Sequence, residues 1–533
     1  MSIDAVIVGA GFSGLYMLYS LRQLGYSAKV FEIASDVGGT WYWNRYPGAR
    51  CDIESMQYSY SFSEELQQEW HWSERYASQP EILRYLEHVA DRFNLRKDIQ
   101  FETRVTAAIF DEKSLHWHIE TDRGDHVSAK FCIMASGCLS APKNPDIKGL
   151  ESFKGHVYYT SQWPHKEVNF ENRQVAVVGT GSSGVQCIPI IAEQAAHLYV
   201  FQRTPTFSAP AHNAPLDPTK EKLWKANYRE HRQKAAEELF GILFDSMTKN
   251  DSALNVTPEE RQQIYESLWE TGGLILLAAF NDVMLNKEVN DTVVEFIHSK
   301  IRAIVKDPTV AESLMGQYAV GSKRICVDTN YYQTFNRENV TLVDLRKESI
   351  EEITSTGIKT KNTIYEVDSI VFATGFDAMT GALLKIDIRG RDGLTIKQKW
   401  ADGPHNYIGL MTAGFPNLFI IAGPGSPSVL SNMILSIEQH VKWIADCIDY
   451  LHQNKIDSIE ATSQAENEWV NHVNEIANYT LFPTSNSWYI GANIPGKPRV
   501  FMPYIGGVVL YKQKCDEVVS NGYKDFHLTK RQA

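Results

Sequence analysis

The order of apolar and polar positions predicts a strand, a tight turn and a helix at the start of the chain. Residues 4–8 form a short run rich in β-branched side chains, and a helical pattern extends from position 15 to about 24. Three glycines with the spacing GxGxxG lie between them: Gly9, Gly11 and Gly14. A second strand-like run, residues 28–31, ends in Glu32. The pattern therefore predicts a βαβ unit with a glycine-rich first turn.

The same order of patterns recurs later in the chain. Residues 175–178 are an apolar run, a helical pattern extends to about position 196, and residues 197–201 are again strand-like. The turn between the first strand and the helix repeats the glycine spacing in six residues: Gly179, Thr180, Gly181, Ser182, Ser183 and Gly184. Arg203 and Thr204 follow the second strand of this unit, at the place where the first unit has Glu32.

Both units match the fingerprint of a dinucleotide-binding βαβ motif, in which the glycines bring the pyrophosphate close to the helix N-terminus. Glu32 lies 23 residues after Gly9, near the expected position of the acid that binds ribose hydroxyls. Arg203 lies 24 residues after Gly179, where a guanidinium can bind the 2′-phosphate of NADP through paired hydrogen bonds. The first site is predicted to bind FAD or NAD, and the second NADPH. A solvated surface side chain is the alternative for Arg203.

Two dinucleotide sites on one chain indicate an electron path from nicotinamide to flavin. Disulfide reductases of this broad architecture need a redox cysteine pair soon after the first βαβ unit, and that region contains only Cys51. The sequence therefore argues against a disulfide reductase. The cysteines are scattered, lack a CxxC pair, and are expected to be buried thiols of a reducing cytosol rather than disulfide or zinc ligands: Cys51, Cys132, Cys138, Cys187, Cys326, Cys447 and Cys515.

Length and net charge restrict the number of domains and the kinds of partner that this chain can have. At roughly 100–200 residues per domain, 533 residues predict two or three compact units. The net charge of -12 disfavours a nucleic acid partner. The apolar stretch 274–280 is far shorter than the ~20 residues that cross a bilayer, and the first residues lack the basic region of a signal peptide. We expect a cytoplasmic protein without membrane, metal or obligatory protein partner.

Residues 38–52 resemble a long signature of type I Baeyer–Villiger monooxygenases, [A/G]GxWxxxx[F/Y]P[G/M]xxxD, at every specified position. The second fingerprint of that family, FxGxxxHxxxW followed by Pro or Asp, matches residues 153–164 with one departure, because Tyr159 occupies the histidine position. In the family this segment joins the two nucleotide domains and governs their relative movement. The departure therefore concerns the rate or coupling of the reaction more than the fold.

The resemblance extends over nearly the whole chain and implies an α/β fold with two discontinuous Rossmann-like domains, for FAD and NADP, and a helical insertion. Residues 135–137 and 373–375 resemble the outbound and return connections between the domains. The implied FAD domain comprises residues 1–141 and 376–533, the NADP domain residues 142–216 and 321–375, and the insertion residues 217–320. One insertion helix is predicted to begin with an N-cap, a proline and a capping box, in the order Thr257, Pro258 and Glu260.

The resemblance also implies roles for single residues. Arg324 is the expected catalytic cation, positioned by Asp52, with a purely structural ion pair as the alternative. Lys323 is expected at the NADP 2′-phosphate, with a solvated lysine as the alternative. Trp488 is expected in a loop that closes over the nicotinamide, with a core tryptophan as the alternative. The substrate pocket is expected to be lined by Ser428, Val429 and Leu430. The residues expected at FAD are Gly9, Gly11, Gly14, Glu32, Gly39, Thr40, Trp41 and Asp52, and those expected at NADP include the second glycine turn, Arg203 and Thr204.

The implied reaction converts a ketone, O2 and NADPH to an ester or lactone, water and NADP+, through a flavin C4a-peroxide, with sulfoxidation as a side activity. A flavin-containing monooxygenase acting on sulfur or nitrogen is the main alternative. Its second fingerprint usually ends in Tyr or Phe, where this chain has Trp163. A nucleotide-binding protein that has lost turnover is a third hypothesis, and only Tyr159 motivates it.

Overall fold

The computed structural model describes residues 2–244 and 252–530. The first part of the chain forms the predicted strand, turn and helix and continues into a larger α/β unit. Its strands are β1 (Ser2–Val8), β2 (Ala28–Phe31), β3 (Ile99–Gln100), β4 (Val105–Asp111), β5 (His116–Thr121) and β6 (His126–Met134). Its helices are α1 (Phe12–Gln23), α2 (Thr40–Trp43), α3 (Glu64–Glu69) and α4 (Gln79–Arg92).

The first sheet is centred on β1, which pairs in parallel with β2 on one side and β6 on the other. Ala5, Val6 and Ile7 are fully buried, as expected for a central parallel strand with both faces covered. β3 extends the sheet beyond β2, and β4 and β5 form an antiparallel extension beyond β6. The carboxyl ends of β1 and β2 therefore meet at the edge where the first glycine turn lies.

The middle of the chain builds a second α/β unit with an all-parallel sheet. Its first elements are β7 (His156–Tyr159), β8 (Gln174–Val178), α5 (Ser182–Gln194), β9 (His197–Gln202) and β10 (Ser208–Pro210), and the helices that follow are α6 (Pro218–Ala226), α7 (Tyr228–Glu237), α8 (Pro258–Thr271), α9 (Lys287–Ile304) and α10 (Pro308–Leu314). The unit then continues with β11 (Cys326–Asp328), α11 (Tyr331–Thr334), β12 (Val340–Asp344), β13 (Ile350–Ile353), β14 (Gly357–Thr360), β15 (Ile364–Glu366) and β16 (Ser369–Phe372). The sheet order is β12, β9, β8, β16, β7.

The five α-helices that the structure describes between β10 and β11 divide between two cores. Tyr228 of α7 packs into the core of the first unit, whereas Tyr265, Trp269 and Phe296 of α8 and α9 pack into the core of the second. The predicted start of α8 is confirmed, because the Thr257 side chain accepts from the Glu260 backbone in a capping box ahead of Pro258. The helical region therefore bridges the two units as well as extending one of them.

The last part of the chain returns to the first unit. Its elements are α12 (Gly381–Leu384), β17 (Asp387–Arg389), α13 (Ile396–Lys399), β18 (Leu418–Ile420), α14 (Met433–Gln453), β19 (Ser458–Ala461), α15 (Ser463–Asn478), α16 (Gly507–Ser520) and β20 (Phe526–Thr529). β18 pairs in parallel with β6, and α14 packs against α1. The α/β fold with discontinuous halves is observed as predicted, and the seven cysteines are free and buried. The exact domain boundaries stay predictions.

Candidate active site and nucleotide sites

The first glycine turn has the geometry that a pyrophosphate site requires. Gly9 has φ +107°, and a Cβ placed on it would lie 2.6 Å from the Ala135 carbonyl oxygen. A Cβ on Gly11 would lie 3.3 Å from the Cα of Gly39, so the GxGxxG turn and the 38–52 signature face each other across a narrow gap. No side chain caps the N-terminus of α1, and its free N–H groups remain available for a phosphate. These residues fit FAD.

Glu32 lies at the end of β2, buried beside this turn. Its Oε2 accepts from the Ala10 N–H at 2.6 Å and its Oε1 from the Ala34 N–H at 2.8 Å. Burial raises the pKa of Glu32, and the backbone hydrogen bonds oppose that rise. Each carboxylate oxygen can accept a further hydrogen bond. The side chain is therefore held rigidly and can still receive two ribose hydroxyls.

Thr40 and Trp41 form the first turn of α2, directly after Gly39. Thr40 is exposed, while Trp41 is buried and its indole N–H donates to the Tyr58 hydroxyl at 3.3 Å. The structure therefore places Thr40 where it can contact a ligand and Trp41 where it supports the wall of the site. Their contact with FAD stays a prediction.

The second glycine turn repeats the first in detail. Gly179 has φ +111°, and a Cβ on it would lie 2.5 Å from the Ala373 carbonyl oxygen. Gly9 has the same relation to the Ala135 carbonyl oxygen in the first turn. No described heavy atom lies within 4 Å of a Cβ placed on Gly181, which leaves open space above the N-terminus of α5. Thr180 donates to the Thr204 carbonyl at 3.1 Å and holds the turn against the end of β9. The turn fits a second dinucleotide.

Ser182 and Ser183 of this turn lie near other parts of the chain. Ser182 Oγ lies 3.3 Å from Cys326 Sγ on β11, and the Ser183 hydroxyl lies beside the buried phenol of Tyr46. Tyr46 belongs to the 38–52 signature, and its hydroxyl donates to Gln186 of α5 at 2.8 Å. The signature of the first unit therefore packs directly against the nucleotide-binding helix of the second.

A cluster of three cations lies beside the second turn. Arg203 is exposed at the end of β9. Burial lowers the pKa of Lys323, and the charge of Arg203 lowers it further. The same two causes lower the pKa of Lys143. Sequence reasoning missed Lys143, because no spacing rule relates it to Arg203. We name Lys143, Arg203 and Lys323 the cation cluster.

Arg324 and Asp52 form a two-point ion pair between the units. Arg324 Nε donates to Asp52 Oδ2 at 2.6 Å and Nη2 to Oδ1 at 2.9 Å, while Nη1 donates to the Val429 carbonyl at 2.6 Å. Burial acts to lower the pKa of Arg324, but the charge and hydrogen bonds of Asp52 raise it above its ordinary value. The guanidinium is a fixed cation held by two segments of the chain, at Asp52 and at Val429.

Tyr489 is a second site residue that sequence reasoning missed. It is 1% exposed, and its hydroxyl lies beside the Arg324 guanidinium. Burial raises the pKa of Tyr489 to about 12, against the opposing charge of Arg324, so the phenol stays neutral at working pH. The neighbouring Trp488 is half-buried, with its ring 4.3 Å from that of Tyr489. In the sequence, the only indication that Tyr489 belongs to the site is its position directly after Trp488.

Ser428, Val429 and Leu430 form a single 3-10 turn. Ser428 has φ +43° and is fully buried, and Val429 presents its carbonyl to Arg324. Val429 and Leu430 belong to an apolar cluster that also contains Cys138, Met379, Trp488 and Phe501. The structure therefore brings the predicted pocket residues to the guanidinium, within an apolar surround.

Tyr159 lies away from these residues, at the end of β7. Its ring stacks on Phe372 of β16 with centroids 5.5 Å apart, and the two residues are partners in the sheet register. Trp163, four positions later, is buried in the core of the second unit. The departure from the family fingerprint is thus accommodated by sheet packing, without a polar contact in the described structure.

Two dinucleotide sites that meet at a half-buried guanidinium, held by a carboxylate, define a flavin- and nicotinamide-dependent oxidoreductase. A family model described as pyridine nucleotide-disulphide oxidoreductase matches residues 6–272. A Baeyer–Villiger monooxygenase of Pseudooceanicola batsensis is 41% identical over 524 residues, covering 98% of this chain and 95% of that protein. Cyclohexanone 1,2-monooxygenase of an Acinetobacter species is 41% identical, with 99% and 97% covered. The structure of an oxidised steroid monooxygenase bound to NADP is 51% identical, with a TM-score of 0.95 and both chains fully covered.

The chain therefore belongs to the Baeyer–Villiger monooxygenase family of FAD- and NADP-dependent flavoproteins. The predicted family, fold class, enzyme class and cofactors are confirmed, and the relatives support the Baeyer–Villiger function over the sulfur or nitrogen alternative. The matched residues contain no CxxC pair, in keeping with the argument against a disulfide reductase. Within residues 2–244 and 252–530, no helix is long and apolar enough to cross a membrane.

Proposed function

We propose that this enzyme converts a ketone, O2, NADPH and a proton to an ester or lactone, water and NADP+. The observation that carries the proposal is the guanidinium of Arg324, fixed by both oxygens of Asp52 beside the apolar 428–430 turn. FAD, when bound and reduced by NADPH, supplies the oxygen-activating chemistry. The chain supplies binding, orientation and the fixed charge.

Arg324 has the right chemistry to stabilise negative charge that develops on the ketone oxygen. Three of its five N–H groups are occupied by Asp52 and the Val429 carbonyl, and the Tyr489 hydroxyl lies beside the guanidinium, which leaves at least one N–H for a ligand. A cation that is already oriented needs no rearrangement during the reaction, which is the condition for effective electrostatic stabilisation. Asp52 positions Arg324 and keeps it charged. The neutral phenol of Tyr489 limits the rotation of the guanidinium on another side.

The apolar side chains near Arg324 favour a ketone with an apolar body. Cys138, Met379, Leu430 and Trp488 belong to one hydrophobic cluster there, and burial raises the pKa of the Cys138 thiol to about 11, so it stays neutral. An apolar surround also excludes water, which would otherwise hydrate the reacting groups. We propose that this cluster binds the substrate through its carbon skeleton, with Arg324 as the polar contact for the carbonyl.

The test is a panel of cyclic, linear and aromatic ketones, each paired with a sulfide of the same skeleton. NADPH consumption, O2 uptake, ester and sulfoxide are measured together. We expect ester in proportion to NADPH for at least one class of ketone. Sulfoxide without any ester would favour the alternative oxidation of sulfur, and NADPH consumption that yields only hydrogen peroxide would contradict both.

The setting we infer is the cytoplasm, with a small ketone and O2 as the partners besides the cofactors. All seven cysteines are free and buried, as in proteins of a reducing compartment. The net charge of -12 disfavours a nucleic acid. Localisation of a tagged full-length chain, with fractionation, checks this assignment.

A further inference from the structure

The two connections between the nucleotide-binding units run side by side as a ribbon, which we name the crossover ribbon (residues 138–143 and 374–379). Lys143 N–H donates to the Gly375 carbonyl at 3.0 Å, and Asp377 N–H donates to the Ala141 carbonyl at 2.9 Å. Thr374 Oγ1 donates to the Lys143 carbonyl at 2.8 Å. The backbone of Lys143 is therefore fixed at the junction of the two units.

The loop that carries Trp488 (residues 487–497, the C-terminal loop) is tied to this ribbon at three points. Lys143 Nζ donates to the Asn493 carbonyl at 2.7 Å, and the Asn493 side chain donates to the Phe376 carbonyl at 2.7 Å. Lys497 Nζ donates to Asp377 Oδ1 at 2.6 Å and to the Ala378 carbonyl at 2.8 Å. One of the three ties is made by the ammonium group of Lys143.

The same ammonium group belongs to the cation cluster. Arg203 and Lys323 complete the cluster, and among the described residues no carboxylate lies within ion-pairing distance of any of the three. Lys323 lies over the ring of Tyr318 instead, 4.6 Å from its centroid. Arg203 acts on each of the two lysines as a like charge without a counter-charge, and an anion beside Arg203 relieves that repulsion. Lys143 uses one of its three N–H groups on Asn493, so two can still bind an anion.

We propose that Lys143 is a third cationic ligand of the coenzyme 2′-phosphate, and that it links this phosphate to the C-terminal loop through its hydrogen bond to Asn493. The inference rests on the proposed function, which uses NADPH. It adds Lys143 to the coenzyme site and couples that site to the C-terminal loop. A phosphate oxygen bound to Lys143 fixes the ammonium group between the phosphate and the loop. Arrival of the phosphoryl group therefore stabilises the loop that carries Trp488, independently of the nicotinamide ring.

The experiment uses the FAD-bound enzyme and two fragments that lack nicotinamide, 2′,5′-ADP and 5′-AMP. Their dissociation constants are measured by calorimetry, and hydrogen exchange is followed in peptides that span residues 487–497. In the wild type we expect 2′,5′-ADP, and not 5′-AMP, to slow exchange in these peptides. Lys143→Met should weaken 2′,5′-ADP binding about tenfold, the usual worth of one charged hydrogen bond, and should abolish the slowing.

Lys166→Met is the matched control, because Lys166 is exposed and belongs to neither the ribbon nor the loop. Lys143→Arg keeps the charge and should retain most of the affinity for 2′,5′-ADP. Retained affinity in this variant would assign the loss in Lys143→Met to the missing charge and not to a fold defect. Unchanged affinity for 2′,5′-ADP in Lys143→Met would overturn the ligand role, and a preserved slowing of exchange would overturn the coupling. Neither result depends on turnover, so failure of the ketone reaction would be seen separately.

Discussion

Arg324 and Asp52 lie 272 residues apart in the chain and are joined by two hydrogen bonds, Nε to Oδ2 at 2.6 Å and Nη2 to Oδ1 at 2.9 Å. Asp52 ends the signature segment of the first unit, and Arg324 lies shortly before β11 of the second. The pair therefore forms only when the two units adopt this relative position. The contact that orients the guanidinium therefore depends on the alignment of the two nucleotide sites.

Arg324→Ala should abolish ester formation while leaving FAD bound. Loss of one preorganised charged donor costs about 10²–10³ in rate, and Arg324 is the fixed cation of the site. Arg324→Lys keeps a charge but cannot form the two-point contact with Asp52, so we expect it to remain severely impaired. Product formation per bound FAD, with the flavin spectrum as a check on loading, measures both variants.

The matched control for Arg324 is Arg389→Ala. Arg389 forms a similar two-point pair with Asp387, but on the exposed surface and away from the site. Such exposed pairs contribute about 0–1 kcal/mol, so the control should behave as wild type. Ester formation retained in Arg324→Ala would show that another group supplies the positive charge.

Tyr489→Phe should lower ester yield per NADPH with little change in FAD content or Tm. The change removes a hydroxyl beside Arg324 and keeps the ring that packs against Phe482 and Phe501. The guanidinium then loses one constraint on its rotation, and we expect roughly a tenfold loss in ester formation, equivalent to about 1.4 kcal/mol. Tyr479→Phe, at a position 81% exposed, is the control. Equal yields in the two variants would assign Tyr489 a packing role only.

Local features of the fold could be predicted from the sequence, and contacts made through tertiary pairing could not. The glycine turns, the acid at Glu32 and the capping box at Thr257 depend on residues within about 25 positions of one another, where spacing rules apply. Arg324 and Asp52 were reached only through the family resemblance. Lys143 had no such support, because the pairing of residue 142 with residue 376 is what brings it to the cation cluster.

Gly181→Ala and Gly179→Ala should separate coenzyme binding from folding. A Cβ on Gly181 meets no described atom within 4 Å, so Gly181→Ala should fold normally but weaken NADP+ binding at least about tenfold, because the methyl group occupies the phosphate approach. Gly179 has φ +111°, and its Cβ would meet Ala373, so Gly179→Ala should lower the free energy of unfolding by more than about 1 kcal/mol. Calorimetry with NADP+ and thermal unfolding measure the two effects. Normal affinity in Gly181→Ala would place the coenzyme elsewhere.

Asp328→Asn should flatten the pH dependence of stability between pH 4 and 7. Asp328 is 6% exposed at the end of β11, and burial raises its pKa to about 6, opposed by the Ser208 hydroxyl, the Tyr331 N–H and the charge of His212. A carboxyl group whose pKa is raised on folding favours the folded state while it is protonated. Its contribution is therefore present below about pH 4 and is lost as the pH rises through 6.

The displacement of this pKa, roughly two pH units, corresponds to about 3 kcal/mol at full effect. Asn keeps the oxygen that accepts from the Tyr331 N–H at 2.9 Å and cannot ionise. The thermal midpoint of Asp328→Asn should thus fall less than that of the wild type between pH 4.5 and 7.5, with the two closest at the acid end. Because the other carboxylates with raised pKa values, including Glu438 and Glu466, are present in both proteins, the difference between the two curves reports Asp328 together with its charge interaction with His212. Parallel curves would show that Asp328 is already ionised when folded throughout this range.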